Sequence, residues 1–270
     1  MKNPFVITSL FLFLLCSIGP SLVHAQNFMP DQYLFGPSAI PMEKGEIRYR
    51  NNGITLNSLH LGISNHVSVD MGAELLLSSI LIMLGEGGLI SFANVKYGHS
   101  FHENFHLGAG VFIGGMLSTD AYNRSGFVSP YGIATFGNTL HNVSIALGAP
   151  IESEYHPSFL MLSGKLQLTK KLDLISENYL LHQSSENSYV RINGSMEAGG
   201  KNIDRHFVFS LALRIYSGRG NLDLGISSLY NTFSYTIVES SNGQQSLHRR
   251  NSTYWFPIPI PVLGFTLPFR

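Results

Sequence analysis

The stretch LHLGISNHVSVDMGAEL, Leu59–Leu75, places apolar residues at every second position on both sides of the turn Ser64-Asn65-His66. Leu59, Leu61 and Ile63 precede the turn; Val67, Val69, Met71, Ala73 and Leu75 follow it. Period two over that length is a β-hairpin with one apolar face. The other face carries His60, Ser68, Asp70 and Glu74. The fold turns on whether the apolar face looks into a protein core or outward into lipid.

The same alternation returns along the chain. In FHLGAGVFIGG it collects Phe105, Leu107, Ala109, Val111 and Ile113 on one side. In FVFSLALRIYS, Phe207, Phe209, Leu211, Leu213 and Ile215 oppose Ser210 and Arg214, and in NLDLGIS, Leu222, Leu224 and Ile226 oppose Asp223. Strands are expected near 45–51, 54–63, 67–75, 89–98, 105–115, 126–137, 143–149, 158–168, 172–181, 207–217, 221–229 and 258–269, about twelve in all. The apolar run Leu75–Leu84 reads as a strand end passing into a loop or a short helical turn.

Connections carry more information than the strands. Short ones fall at 64–66, 99–104, 138–142, 169–171 and 218–220, and long ones at 76–88, 116–125, 150–157, 182–206 and 230–257. Only Asn52-Gly53 is tight on the long side. Short turns at one end, long loops at the other and an even strand number describe an outer-membrane barrel. The strands' second faces carry Asp70, Glu74, Lys96, Arg214 and Asp223, so the apolar faces are read as pointing outward. In lipid only a closed barrel leaves no unpaired sheet edge. The expected fold is therefore all-β, a closed antiparallel transmembrane β-barrel over 45–270. The remaining alternative is a periplasmic or secreted β-barrel or sandwich.

Residues 1–25 read as an export signal: Met1-Lys2, an apolar run from Phe5 to Ile18, and the small-residue site Val23-His24-Ala25. The run is shorter than the roughly 20 residues a spanning helix needs. The single cysteine, Cys16, lies inside it. Residues 26–44 are expected to form a short periplasmic segment before the barrel. Basic and acidic residues number 17 each, and removal of Lys2 with the leader leaves 16 against 17. A near-neutral chain lacks the basic surface a nucleic-acid partner requires. Charged residues make up 13% and glycines number 27, which suits a β-protein with little surface in water.

In VLGFTLPFR, Leu263, Phe265, Leu267 and Phe269 alternate to the penultimate residue. Such a strand, Leu263–Phe269, resembles the signal read by barrel-assembly machinery, with Arg270 after the Phe as a mild departure. Tyr254, Trp255 and Phe256 are placed to form one interfacial belt and Phe269 the other. The expected location is the bacterial outer membrane, with its lipid and that machinery as partners.

The segment Tyr33–Leu75, together with Gly85–Gly110, Tyr131–Asn138 and Leu162–Leu181, resembles uncharacterised outer-membrane β-barrel proteins of Bacteroidota. The resemblance covers most of the chain after the leader. It implies fold and location, and neither a substrate nor catalytic residues.

The candidate lumen face offers Arg48, Arg50, His60, Asp70, Glu74, Asn94, Lys96, Asp173, Glu177, Arg214 and Asp223. Two readings stay open: a polar pore whose charges select solutes, or opposite charges that pair and close the lumen, with Arg48 and Arg50 near Asp70 and Glu74. Either way the expectation is a passive channel or structural barrel, not an enzyme, with no cofactor and no metal. A lipolytic enzyme is the alternative from another class, since a His-x-Ser pair can activate a serine. His182-Gln183-Ser184, His66-Val67-Ser68 and His156-Pro157-Ser158 have that form, at about the frequency chance supplies. His99, His102 and His106 have a spacing that suits a helix more than a hairpin. Asn123-Arg124-Ser125 and Asn193-Gly194-Ser195 match the glycosylation sequon, which a bacterial setting leaves silent.

Overall fold

In the strand His141–Gly148 every second side chain is buried: Asn142, Ser144 and Ala146 are inside, while Val143, Ile145 and Leu147 are 50%, 45% and 65% exposed. Polar residues inside and apolar residues outside is the reverse of a water-soluble β-protein. This inversion recurs around the whole sheet and defines the fold.

The computed structural model describes residues 29–53, 55–83, 88–117, 125–151, 158–185, 188–192, 195–199, 202–218, 220–241 and 244–269. Side chains are described except for Leu77, Leu81, Ser125, 183–204 and 231–259. The export signal at 1–25, both sequons, His156-Pro157 and the side chains of Ser184 and of Tyr254, Trp255 and Phe256 lie outside that description.

The elements are β1 (Ile47–Asn52), β2 (Leu56–Gly62), β3 (Val67–Glu74), α1 (Leu76–Met83), β4 (Leu89–His102), β5 (Phe105–Leu117), β6 (Ser125–Gly137), β7 (His141–Gly148), β8 (Ser158–Thr169), β9 (Leu172–Ser185), β10 (Ser188–Ile192), β11 (Ser195–Gly199), β12 (Asn202–Ser217), β13 (Gly220–Ser241) and β14 (Gln244–Phe269). Twelve of these strands form one closed antiparallel barrel, in the order β1-β14-β13-β12-β9-β8-β7-β6-β5-β4-β3-β2. Closure is made by β1, which pairs with β2 on one side and with β14 on the other, Ile47 opposite Phe269 and Asn52 opposite Gly264. Both edges are used, so the barrel presents no open ladder.

The twelve expected strands correspond one to one with these twelve. Two of the expected long loops are different in kind. The segment 230–257 continues the β13–β14 ladder out to Ser241 opposite Gln244, so that hairpin is much longer than its neighbours. Within 182–206, β9 and β12 extend toward each other and β10 and β11 form a two-stranded hairpin between them. The run after Leu75 forms α1, a helix on the long-loop side.

The segment expected to stand before the barrel lies inside it. Residues 29–42 are almost all buried, with Met29, Tyr33, Leu34, Ala39 and Met42 at or below 2% exposure. Tyr33 N donates to Gly36 O and Ser38 N to Asp31 O, which folds the segment into a small turned plug. Glycines in the wall let it lie close. A Cβ added at Gly98 would stand 2.5 Å from the Ala39 carbonyl oxygen, and one at Gly62 would overlap the Glu43 carbonyl. The plug fills the short-turn half of the lumen.

Gly98→Ala is therefore expected to cost about 1–3 kcal/mol by overpacking plug against wall. Gly132→Ala, where nothing lies within 4 Å of the new Cβ, is the matched control. Urea unfolding in detergent micelles should show a lowered midpoint for Gly98→Ala alone.

Candidate functional site: a plugged lumen and the chamber above it

A plug without helix or sheet of its own carries many backbone N–H and C=O groups into a buried place, and each needs a partner. Three charged side chains on the wall supply most of them. Glu177 of β9 accepts from Leu34 N at 2.6 Å, Phe35 N at 3.0 Å and Gly36 N at 2.9 Å, and also from Tyr179 Oη at 2.5 Å. Lys96 of β4 donates to the carbonyls of Asp31, Ser38 and Ile40 at 3.2, 2.9 and 3.1 Å. Arg214 of β12 donates to Tyr33 O at 2.7 Å and Gln32 O at 3.3 Å. Neutral groups complete the seat: Thr135 Oγ1 accepts from Ala39 N, and Tyr33 Oη donates to Asn142 Oδ1 at 2.7 Å.

The remaining charges close on one another. Asp223 takes Arg214 at 2.7 and 2.9 Å and Arg50 at 2.8 Å. Arg48 holds Asp31 of the plug at 2.5 Å and Glu46 at 2.7 Å. Asp173 accepts from Tyr216 Oη at 2.6 Å, with Lys165 Nζ 4.0 Å away. Burial by itself raises the Asp31 carboxyl, but the charges of Arg48 and Lys96 outweigh it and hold it well below the usual carboxylate value of 3.8. A depressed carboxyl contributes stability above its unfolded pKa and loses it only as pH falls through the lower folded value. The plug's anchor to Arg48 thus survives mild acid.

All eleven sequence-predicted lumen residues lie on the inward-facing rows, but their partners differ from expectation. Arg48 and Arg50 do not meet Asp70 and Glu74. Register is the reason: Arg48 stands opposite His60 and Pro268, and Arg50 opposite Ser58 and Thr266, while Asp70 lies a strand further on. Glu74 sits at the rim, where its carboxylate accepts from Ser78 N at 2.9 Å at the start of α1. His66 bonds Gly98 O and stacks on Tyr97. His106 bonds Ser100 Oγ and Gly137 O. Among the described residues no group of three or more His, Cys, Asp or Glu side chains could hold a metal ion.

Above the plug the lumen opens into a chamber of about 340 Å³. Its floor is Gln32, Phe35, Gly36 and Pro37 of the plug, and its wall is largely aromatic, with Phe92, Phe112, Phe127 and Phe159. Phe92 and Phe112 stack at 5.7 Å, and Phe112 meets Phe127 at 5.8 Å. One side is polar. Ser58, His60, Asp70, Asn94 and Tyr131 line it in a continuous hydrogen-bonded row. A mostly apolar hollow of this size with a few convergent polar groups is the usual form of a small-molecule site. Sequence reasoning had no means to find the aromatic wall, because Phe92, Phe112 and Phe127 interrupt the polar inward rows of their strands.

No protein-family model matches the chain, and no curated protein matches it either.

Glu177→Ala leaves three plug N–H groups without an acceptor, at roughly 1.5–3 kcal/mol for each charge-assisted bond lost. Amide hydrogen exchange at 33–40 should then accelerate by about two orders of magnitude or more, while the strands of the barrel keep their protection.

Proposed function

We propose that this chain is an outer-membrane barrel of the closed kind, which seals its own lumen with residues 29–42 and holds one small amphipathic molecule in the chamber above the seal. The observation that carries the reading is the inverted surface. Val95, Val111, Ile113, Leu162, Phe207, Leu211 and Leu267 face outward around the barrel at 36–52% exposure, while Arg50, Glu177 and Arg214 are fully buried. In water this arrangement would leave an apolar area far above that of ordinary monomers exposed. In a bilayer it is the stable one. The resemblance to Bacteroidota barrel proteins and the apolar alternation of Leu263–Phe269 point to the same membrane and to assembly through that terminal strand.

Between the pore and the closed lumen, the ion pairs and the plug favour the closed form. Lys96, Glu177 and Arg214 are engaged by plug backbone, not ranged along an aqueous path. The chamber defines the ligand class by complementarity: an apolar body for the phenylalanines and one polar end for the Ser58–Asn94 side.

Two measurements test the reading. Leu211→Arg places a charge on the proposed lipid face and should cost roughly 2–4 kcal/mol at mid-bilayer, read from unfolding in vesicles against Ala212→Ser on the inward face. A medium-chain fatty acid bearing a diazirine should cross-link to Phe112, Phe127 or Phe159, and Ala146→Trp, which fills the chamber, should reduce that labelling at least tenfold. Labelling confined to outward residues such as Val111 and Leu160 would mean the probe reads the surface and the chamber holds nothing.

A further inference from the structure

The polar side of the chamber carries the hydrogen-bond order of a Ser-His-Asp triad. Ser58 Oγ lies 2.9 Å from His60 Nε2, and His60 Nδ1 lies 2.8 Å from Asp70 Oδ1. Asp70 Oδ2 is in turn held by Asn94 Nδ2 at 2.9 Å, and Asn94 Oδ1 accepts from Tyr131 Oη at 3.0 Å. We infer that Ser58, His60 and Asp70 form a nucleophile–base–orienting set that cleaves carboxylic esters of apolar acyl chains held in the chamber. The inference rests on the reading of that chamber as a site for an amphipathic molecule.

The topology that assembles the set is simple. Ser58 and His60 are two apart on β2, so both face the lumen. His60 is directly opposite Asp70 on β3, and Asp70 is directly opposite Asn94 on β4. The imidazole is thereby gripped at both nitrogens. With Asp70 accepting at Nδ1, Nε2 is left to accept from the Ser58 hydroxyl, the tautomer a general base needs. His60 is 2% exposed and Ser58 6%, yet both line the chamber, so the pair is shielded from bulk solvent and still open to a bound molecule.

The substrate class follows from the walls. The acyl chain lies on the phenylalanines, and its carbonyl reaches the Ser58 side. Phe92 and Phe127 also line a groove of about 490 Å³ in the outer wall, where Gly114, Gly115 and Gly126 leave the sheet thin. Among the described residues these two rings line both the groove and the chamber, and an acyl ester entering from lipid would pass between them.

The steps balance. Ser58 Oγ bonds to the carbonyl carbon while its proton passes to His60 Nε2. The ester C–O bond breaks, and the proton goes from His60 to the departing alcohol. Water then attacks the acyl-serine, giving one proton to His60, which returns it to Ser58 as the fatty acid leaves. His60 and Ser58 are the catalytic residues; Asp70 is a positioning residue that sets the ring.

The test uses the folded full-length barrel in detergent. An octyl fluorophosphonate should attach to Ser58, read as a mass increase on the peptide that carries it. p-Nitrophenyl octanoate should be hydrolysed, with a loss of at least a hundredfold in Ser58→Ala and in His60→Gln. Asp70→Asn should lower kcat by about a hundredfold or more with KM nearly unchanged, since the acyl site is intact. Where a variant fails to fold, labelling of the unaltered protein decides. No adduct on Ser58 and no hydrolysis, while the diazirine fatty acid still cross-links to Phe112, Phe127 or Phe159, overturns the triad and leaves the chamber reading standing. Loss of both overturns both. An adduct on a different serine also overturns the assignment.

Discussion

The structure depends on one constraint: a stretch of irregular backbone is buried in the lumen, and its N–H and C=O groups must be met. Helices and sheets meet theirs internally. Residues 31–40 do not, apart from the single turn closed by Tyr33 N to Gly36 O and its flanking bond from Ser38 N. The wall therefore does the work that secondary structure would do elsewhere. A carboxylate is the natural partner for three successive N–H groups, and Glu177 is placed there; an ammonium is the natural partner for three converging carbonyls, and Lys96 is placed there. Among the described residues neither charge has an ion-pair partner, and the peptide dipoles they face take that role.

Everything else in the lumen follows from this seat. Arg214 is divided between plug carbonyls and Asp223, so Asp223 is drawn toward β12 and captures Arg50 from β1 across the closing strand β14. The short-turn half is then full. Glycines at 62 and 98 allow plug and wall to touch there, and bulk returns only above the plug, as phenylalanines around a hollow. The position of the chamber is thus set by where the plug ends, with Phe35 and Pro37 as its floor.

Period-two alternation made the barrel legible, because outward residues meet one uniform environment and need only be apolar. That is why strands such as 143–149 and 207–217 could be read from their own residues. The β13–β14 extension was not legible: between Ile226 and the expected strand at 258 the segment is largely polar, and Pro257 argues against a strand. The plug was not legible either. MPDQYLFGPSAIPMEKG has no period, since much of its backbone is satisfied by wall residues as far as 182 positions away. Charge identity was readable and charge pairing was not, because pairing depends on register around a closed ring and on a plug whose Asp31 competes for Arg48. The Ser58–His60 pair was not legible as a His-x-Ser motif because it runs serine first, and its third member comes from the neighbouring strand.

The seat also links the two halves of the lumen. Withdrawal of the plug would take from Lys96 its three carbonyls, leave Glu177 with Tyr179 and Arg48 with Glu46, and a buried charge stripped of partners costs several kcal/mol. Only water could replace them, so the plug cannot loosen without wetting the short-turn half. The chamber shares its floor with that plug, and Asn52 reaches from the chamber wall to Leu34 O. A molecule pressed against Phe35 and Pro37 would hold the plug down, and a wetted plug would admit water beside His60. Shielding of Ser58 from bulk water is therefore a property of the seal as much as of the chamber, so the plug would bear on any chemistry at Ser58 and His60, though it supplies no residue to it.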